Sequence, residues 1–450
     1  DRPIEQIYPD STPNDLTDNP RTRIEYNELG WVTARVDERG NRTEFEYDRL
    51  GRQTQVLDAL GNVTRYTYDS RGNQLTTTDA LNHTTSMVYD ARDRLVDVHF
   101  ADETQSHTSY DVLGRKIEFI DQAGKTTRYE YDPQSRLTAV IDALNQRTGY
   151  EYDKAGNLIH QTDANNHRTD YEYDALNRRT ALVLPLGQRF TTGYDAVGNV
   201  KRVIDAKGDP TAYEYDGRNR LIKEQFTHDA AVSYTYTPTG KRKTVTDARG
   251  RTSYIYDERD RLLSRTDPDT RTIAYEYDLS GNRTKIIVAS GTTRYLFDAL
   301  NRLDTVTDTG GGVTDYTYDG IGNLTRTERP NGVTETRAYD RLNRLVDLQN
   351  AGASGMISSY HYTLDAVGNR VAVEEYTGQR VDYTYDDLYR LTREQVTDAL
   401  AGDRITQYGY DLVGNRLTKA DSVEGTTSYV YDANDRLLNE RQNGQDTSYT

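Results

Sequence analysis

Apolar and polar residues alternate along this chain in short runs, and a turn bounds each run. In the stretch 61–72, Gly-Asn-Val-Thr-Arg-Tyr-Thr-Tyr-Asp-Ser-Arg-Gly, the residues Thr64, Tyr66 and Tyr68 alternate with Val63, Arg65 and Thr67. Period-two alternation is the signature of a strand with two unlike faces, so both rings point to the same side. After Asp69 come two free residues and then Gly72, which predicts a short hairpin loop closed at positive φ. A second strand leaves the turn, as in Arg94-Leu95-Val96-Asp97-Val98, and runs into another turn such as Asp58-Ala59-Leu60-Gly61 or Asp142-Ala143-Leu144-Asn145. No segment carries a helical period. The pattern predicts an all-β chain of tandem antiparallel β-hairpins.

The hairpin recurs about every 21 residues in twenty copies, each marked by a tyrosine. Eleven markers from Tyr26 to Tyr236 are spaced 21 apart, and the series continues at Tyr256, Tyr277, Phe297, Tyr318, Tyr339, Leu364, Tyr385, Tyr410 and Tyr431. Asp follows the marker in 18 of the 20 copies, Asn27 and Thr237 being the exceptions. Units that recur at such a period cannot bury their own faces and must stack on their neighbours. The repeat positions with a structural role include Tyr47, Asp48, Gly51, Tyr66, Tyr68, Asp69, Gly72, Tyr131, Asp132, Tyr152, Asp153, Gly156, Tyr194, Asp195 and Gly198. They continue through Tyr215, Asp216, Tyr277, Asp278, Gly281, Tyr318, Asp319, Gly322, Tyr385, Asp386, Tyr410, Asp411 and Gly414.

Four residues after the marker stands Gly in 11 copies, Asn in four and Asp in three, with Ser135 and Tyr389 as departures. Gly, Asn and Asp tolerate the left-handed conformation most cheaply. From Tyr68 onward this position alternates between Gly and another residue: Gly72, Asp93, Gly114, Ser135, Gly156, Asn177 and so on. The true unit is therefore a pair of hairpins, about 42 residues long, with two slightly different environments. Two marker steps shorten to 20 and two lengthen to 25, within 350–358 and around 398–404. A one-residue deletion inside a strand would turn every later side chain to the wrong face. The Tyr pairs persist, so the deletions must fall in turns, while four extra residues can lengthen either a loop or a hairpin.

Twenty hairpins make about forty strands, and at about 4.8 Å per strand the ribbon would be about 190 Å long. Sheets twist, so the expectation is one continuous spiralling sheet rather than a flat one.

Composition sharpens this. The hydrophobic fraction is only 34%, even counting 37 tyrosines. Disordered chains lack aromatics in register, whereas 32 of these tyrosines occupy two fixed repeat positions. The fold must rest on tyrosine, its rings packed along neighbouring strands. A net charge of −16 argues against nucleic acid as a partner, since phosphate binding needs a basic stripe. Cysteine is absent, which excludes disulfides and thiolate metal sites. No apolar run approaches the roughly 18–20 residues needed to span a bilayer. Residues 1–21 read as an N-terminal lead-in and 22–450 as the repeat region, which stops at Tyr449-Thr450 where the next Tyr-Asp pair is due. The chain reads as a fragment, truncated mid-repeat.

Catalytic chemistry finds little support. The seven histidines (His83, His99, His107, His160, His167, His228 and His361) occupy unrelated repeat positions and form no metal-ligand spacing. The Asp after each marker suits an Asx-type cap of its own turn better than a calcium loop, which needs clustered oxygen ligands. Glu130 and Tyr131 point to opposite faces, and nothing singles out one carboxylate as an acid or base. Sequons at Asn41, Asn62, Asn82, Asn282 and Asn323 are expected by chance in a chain rich in Asn and Thr. The sequence predicts no enzyme, no catalytic residues, no cofactor and no metal.

The motif Tyr152-Asp153-Lys154-Ala155-Gly156-Asn157-Leu158, repeated with Tyr-x-Tyr-Asp over residues 22–450, resembles the Rhs/YD-repeat family. That family includes bacterial polymorphic toxins, the C component of insecticidal toxin complexes and the teneurins. The resemblance implies that the repeats form part of a hollow β-shell which, in bacterial members, encloses a C-terminal toxin domain. It implies secretion or a cell-surface location, with the chain's own toxin domain or a secretion apparatus as partner. The family's Asp-Pro-x-Gly autocleavage segment is missing: Asp209-Pro210 and Asp267-Pro268 lack the glycine. The alternative is an extracellular adhesion or carbohydrate-binding module, whose Tyr rows would stack on sugars. Exposure of Tyr66, Tyr131, Tyr215 and Tyr318 separates the two, since mostly exposed rings favour adhesion.

Overall fold

A computed structural model describes residues 4–9 and 19–449, and every regular element in it is a strand. The 42 strands belong to one sheet, and every strand pair with a resolved register is antiparallel, each strand lying against the next in sequence. Strands leading into a marker are mostly six residues long, as in Thr126–Tyr131, and return strands mostly five, as in Leu137–Ile141. One strand went unforeseen. Glu5–Ile7 lies inside the lead-in and pairs with Arg21–Tyr26 through Glu5↔Arg23 and Ile7↔Arg21.

Both turns of a hairpin unit share one geometry. Asp48 donates its N–H to the Arg52 carbonyl at 2.9 Å, and Gly51 donates to the Asp48 carbonyl at 3.0 Å. At the other end, Asp58 and Gly61 repeat this with the Asn62 and Asp58 carbonyls. The fourth residue of the marker turns is left-handed, with φ 80° at Gly51, 60° at Asn177, 65° at Ser135 and 64° at Tyr389. Register shifts at each marker, for example between Glu46 and Tyr47, so a bulge re-aims the marker side chain. The spacing faults behave as periodicity requires. Both shortened units use tighter turns, with Asp247 opposite Gly250 and Val288 opposite Gly291. The insertions lengthen hairpins: Leu345–Gly352 and Gly355–Leu364 have 8 and 10 residues, and Leu391–Thr397 and Arg404–Tyr410 have 7 each.

The contacts divide the chain into two compact units. The first comprises Asp1–Tyr89, Phe100–Asp102 and Tyr215–Ile357, and the second Asp90–His99, Glu103–Glu214 and Ser358–Thr450. Each unit contains an early and a late stretch of chain, and the two touch turn to turn. In the first unit, Arg39 donates to the Phe297 and Asp298 carbonyls and to Asn301 Oδ1. In the second, Asn165 Nδ2 donates to Asp411 Oδ2 at 2.9 Å and Asn434 Nδ2 to Gln188 Oε1 at 2.7 Å.

Among the described residues no large side chain is fully buried. The most enclosed apolar residues are small, and Ala34 and Ala139 are 0% exposed. Ala139 lies between Glu130 and Gly149 on the face away from the tyrosines. Arg147 Nη2 reaches across it to Glu130 Oε2 at 2.9 Å. Arg42–Glu25 and Arg189–Glu172 span Ala34 and Ala181 in the same way. Only a methyl group leaves room beneath such a bridge.

Candidate functional site

The recurrent structural site is a lock between successive marker turns, seen in full at Asp132. Asp132 Oδ1 accepts the backbone N–H groups of Gln134 and Arg136, both at 2.9 Å, as an Asx cap. Its Oδ2 accepts Arg136 Nε at 2.6 Å. The same guanidinium donates from Nη1 to the Asp153 carbonyl of the next turn at 2.8 Å. It also lies 4.9 Å from the centre of the Tyr152 ring, within the range of a cation–π contact. Tyr152 then donates its hydroxyl back to the Leu137 carbonyl at 2.8 Å. Arg136 and Tyr152 thus tie each hairpin to the next by side chains as well as by the strand ladder.

The pattern recurs at Arg52/Tyr68, Arg115/Tyr131, Arg178/Tyr194, Arg220/Tyr236, Arg261/Tyr277, Arg302/Tyr318 and Arg390/Tyr410. In the first copy Trp31 takes the arginine's place and packs on Tyr47 with ring centroids 5.6 Å apart. This corrects the expectation of ring-on-ring packing. Among the described residues, ring pairs occur at Trp31–Tyr47 and Tyr360–Tyr362. Successive markers are two strands apart, about 9.5 Å, and the intervening arginine fills that gap.

Alternation of the turns has a direct cause. Where the turn reads Gly-Asn, the asparagine replaces the arginine and reaches less far. Asn157 Nδ2 donates to Asp153 Oδ2 at 2.8 Å and to Asn177 Oδ1 of the next turn at 2.9 Å. Asn282, Asn323 and Asn415 do the same to Asn301, Asn343 and Asp435. The acceptor in these four pairs is a left-handed Asn or Asp side chain, which a glycine could not supply.

Electrostatics follow from these contacts. The Arg94 side chain, with backbone N–H groups of Arg94 and Arg92, holds the Asp90 pKa down to about 2. Arg220 does the same to Asp216. Asn73 lowers Asp69 by hydrogen bonding. Burial raises the pKa of Tyr68, Tyr131, Tyr152 and Tyr318. Burial also raises Tyr389, helped by its hydrogen bond to Asp121. Burial pushes Asp421 upward too, but Arg404, the Glu424 and Val423 N–H groups and the Thr406 hydroxyl outweigh it and hold it well below the carboxylate range.

The predicted positions are distributed along the ladder and do not converge. Tyr66, Tyr131, Tyr215 and Tyr318 are all half-buried. His107 and His160 pair with Asp97 and Asp170, each at 2.7 Å. Among the described residues no three His, Asp or Glu side chains gather as a metal site, and no helix is long and apolar enough to cross a membrane. The sequon asparagines Asn41, Asn62, Asn282 and Asn323 have their amides bonded to turn aspartates. A crevice of about 470 Å³ in the first unit, lined by Ile24, Arg35, Asn41 and Leu300 among others, brings no acid–base pair together. The arginine four residues after the turn Asp is the important residue that sequence reasoning passed over. Its signal was the recurring Gly-Arg, Asn-Arg and Asp-Arg step.

Comparison with known proteins gives one consistent result. A structure of TcdB2-TccC3-Cdc42 is similar over 94% of this chain and 27% of its own, at 16% identity and TM-score 0.74. The Photorhabdus luminescens Tc holotoxin pore matches over 95% and 27%, at 16% identity and TM-score 0.73. TcdB2-TccC3 without its hypervariable C-terminal region matches over 93% and 32%, at 13% identity and TM-score 0.73. The chain therefore spans about a third or less of these structures, and at such identities the likeness is one of fold. No curated protein sequence matches. The RHS repeat family model matches residues 26–63, 47–84, 110–147, 152–189, 194–228, 256–293 and 297–334, together more than half of the sequence. The chain belongs to the RHS repeat family.

Proposed function

We propose that this chain is a wall segment of an RHS shell, structural rather than catalytic, which sequesters a toxic C-terminal domain and helps deliver it from a secreted protein. The observation that carries this reading is the ladder of Arg–Tyr locks. It recurs from Arg52/Tyr68 to Arg390/Tyr410, interspersed with Gly-Asn turns that carry a shorter asparagine contact, and converges nowhere, as a wall requires and an active site does not. The fold shared with TcdB2-TccC3 supports the same role. An adhesion module has less support, because the tyrosine rings that would stack on sugars are half-buried and many are already occupied by guanidinium groups.

The test uses the longest natural protein that contains this sequence. Limited proteolysis should leave any segment after residue 450 protected while the repeats are folded and expose it once acid or denaturant opens them. Equal cleavage of that segment in both states, or a membrane or cell-wall anchor in its place, would overturn the proposal.

A further inference from the structure

In the second unit two turns depart from the repeat, and they depart toward each other. The turn at 121–125 belongs to the early stretch and the marker turn at 386–390 to the late one. Elsewhere in the early part of the chain the last residue of such a turn serves its own aspartate. Asn41 donates to Asp37 Oδ2 and Asn62 to Asp58 Oδ2, each at 2.8 Å. Lys125 holds that place here and pairs instead with Asp387. Asp121 still caps its turn through Oδ1, which accepts the Ala123 and Lys125 N–H groups, both at 2.9 Å. Its Oδ2, which Lys125 leaves unclaimed, accepts the hydroxyl of Tyr389. Each turn thus gives one side chain to the other.

Tyr389 reaches across at a cost to its own turn. Its φ of 64° places a bulky side chain in left-handed backbone, where such residues persist only when their surroundings hold them. It also gives up a lateral contact. Asn157, Asn282, Asn323 and Asn415 each donate to an Asn or Asp at the corner of the next turn. For Asn369 the next corner is Tyr389, and among the described residues its amide donates to Asp365 Oδ2 alone, at 2.9 Å.

Turns that recur every 21 residues are near-copies, so the repeat by itself does not specify which early turn a late turn meets. Residues found at one place only can, because every other pairing leaves them without a partner. At the place of Asp387 the other late marker turns of this unit carry Ala366, Leu412 and Ala433. At the place of Lys125 the following early turns carry Gln146, His167 and Gln188.

We propose that Asp121, Lys125, Asp387 and Tyr389 form a clasp, which selects this pair of turns from a series of near-copies and holds the early and late stretches together there. The clasp does not depend on what the wall encloses.

Amide exchange of the 450-residue chain, followed by mass spectrometry, tests this. Tyr389→Phe keeps the ring and the left-handed corner but removes the hydroxyl, and should speed exchange about tenfold at both 121–125 and 386–390. Tyr389→Asn returns the corner to a residue that other copies carry and supplies Asn369 with an acceptor, so exchange should rise at 121–125 alone. Lys125→Glu and Asp387→Lys should each loosen both turns, and together they should return exchange to within about threefold of the parent. Tyr389→Phe leaving 121–125 at the parent rate would overturn the proposal, as would a charge exchange that protects no better than either single change. A rise throughout the unit would also overturn it, since the four residues would then support the fold at large rather than this one contact.

Discussion

Gly51 has no room for a side chain. Its φ of 80° lies in the left-handed region, and a Cβ there would sit 2.8 Å from the Trp31 ring. Gly72 shares the conformation, with φ 103°, but has nothing within 4 Å of the same point. Left-handed backbone costs a non-glycine residue about 1–2 kcal/mol, and overpacking adds about 1–3 kcal/mol. Gly51→Ala should therefore destabilise the protein about twice as much as Gly72→Ala in urea denaturation. Adding Trp31→Arg, the residue other copies carry, should bring the two together; an undiminished penalty would place the strain elsewhere. At the same scale, the turn aspartates set the response to acid. Asp90 and Asp216 have folded pKa values of about 2 against an ordinary 3.8. A depressed carboxylate pKa contributes stability that is fully present above its unfolded value and lost as pH falls through the folded one. Stability, read from unfolding followed by Trp31 fluorescence, should thus fall between about pH 4 and pH 2. A loss already complete above about pH 4 would place the acid sensitivity outside these aspartates.

Within the hairpin, stability comes from what crosses between strands. Arg136 makes one ion pair, one carbonyl hydrogen bond and one ring contact. The ion pair joins side chains only four residues apart in one turn, so the carbonyl bond to the next turn and the ring carry most of its effect between hairpins. Arg136→Ala should cost about 1–3 kcal/mol. Arg136→Lys should recover less than half of that, because an ammonium lacks the planar fork that serves all three contacts. Full recovery by lysine in chemical denaturation would reduce the lock to charge alone. Ala139 gives the complementary test on the other face: Ala139→Leu must lift the Arg147–Glu130 bridge and should cost about 1–3 kcal/mol. The hairpins, both turns, the left-handed corners and the position of each deletion were legible in the sequence, because each follows from local spacing. The ring contacts were not. Tyr66 and Tyr68 show which face carries rings, but a single-strand pattern does not reveal that an arginine from the preceding turn separates one marker from the next. The lead-in strand Glu5–Ile7 was illegible for another reason: three residues carry no period.

Over hundreds of residues the repeat says that each hairpin meets the next, but not which distant turn it meets. That depends on twist accumulated over many strands, and the side chains at the meeting points depart from the repeat. Arg39 is one of them. It donates to the Phe297 and Asp298 carbonyls and to Asn301 Oδ1, and lies 3.7 Å from Asp278. Its neighbour Glu38 pairs with Arg259 at 3.1 Å. These contacts join two stretches of the first unit, each with its own hairpin ladder. Because repeat arrays are stabilised mainly by nearest neighbours, removing one such contact should loosen turns locally and leave the strands intact. Arg39→Ala should therefore speed amide exchange at 37–41 and 297–302, while exchange in strands such as Arg42–Tyr47 and Leu303–Thr307 stays unchanged. Arg136→Ala should do the reverse, acting on adjacent strands and sparing those turns. If Arg39→Ala instead accelerated exchange throughout its unit, the turn-to-turn contacts would be holding the ladders together, and the nearest-neighbour account of this sheet would fail.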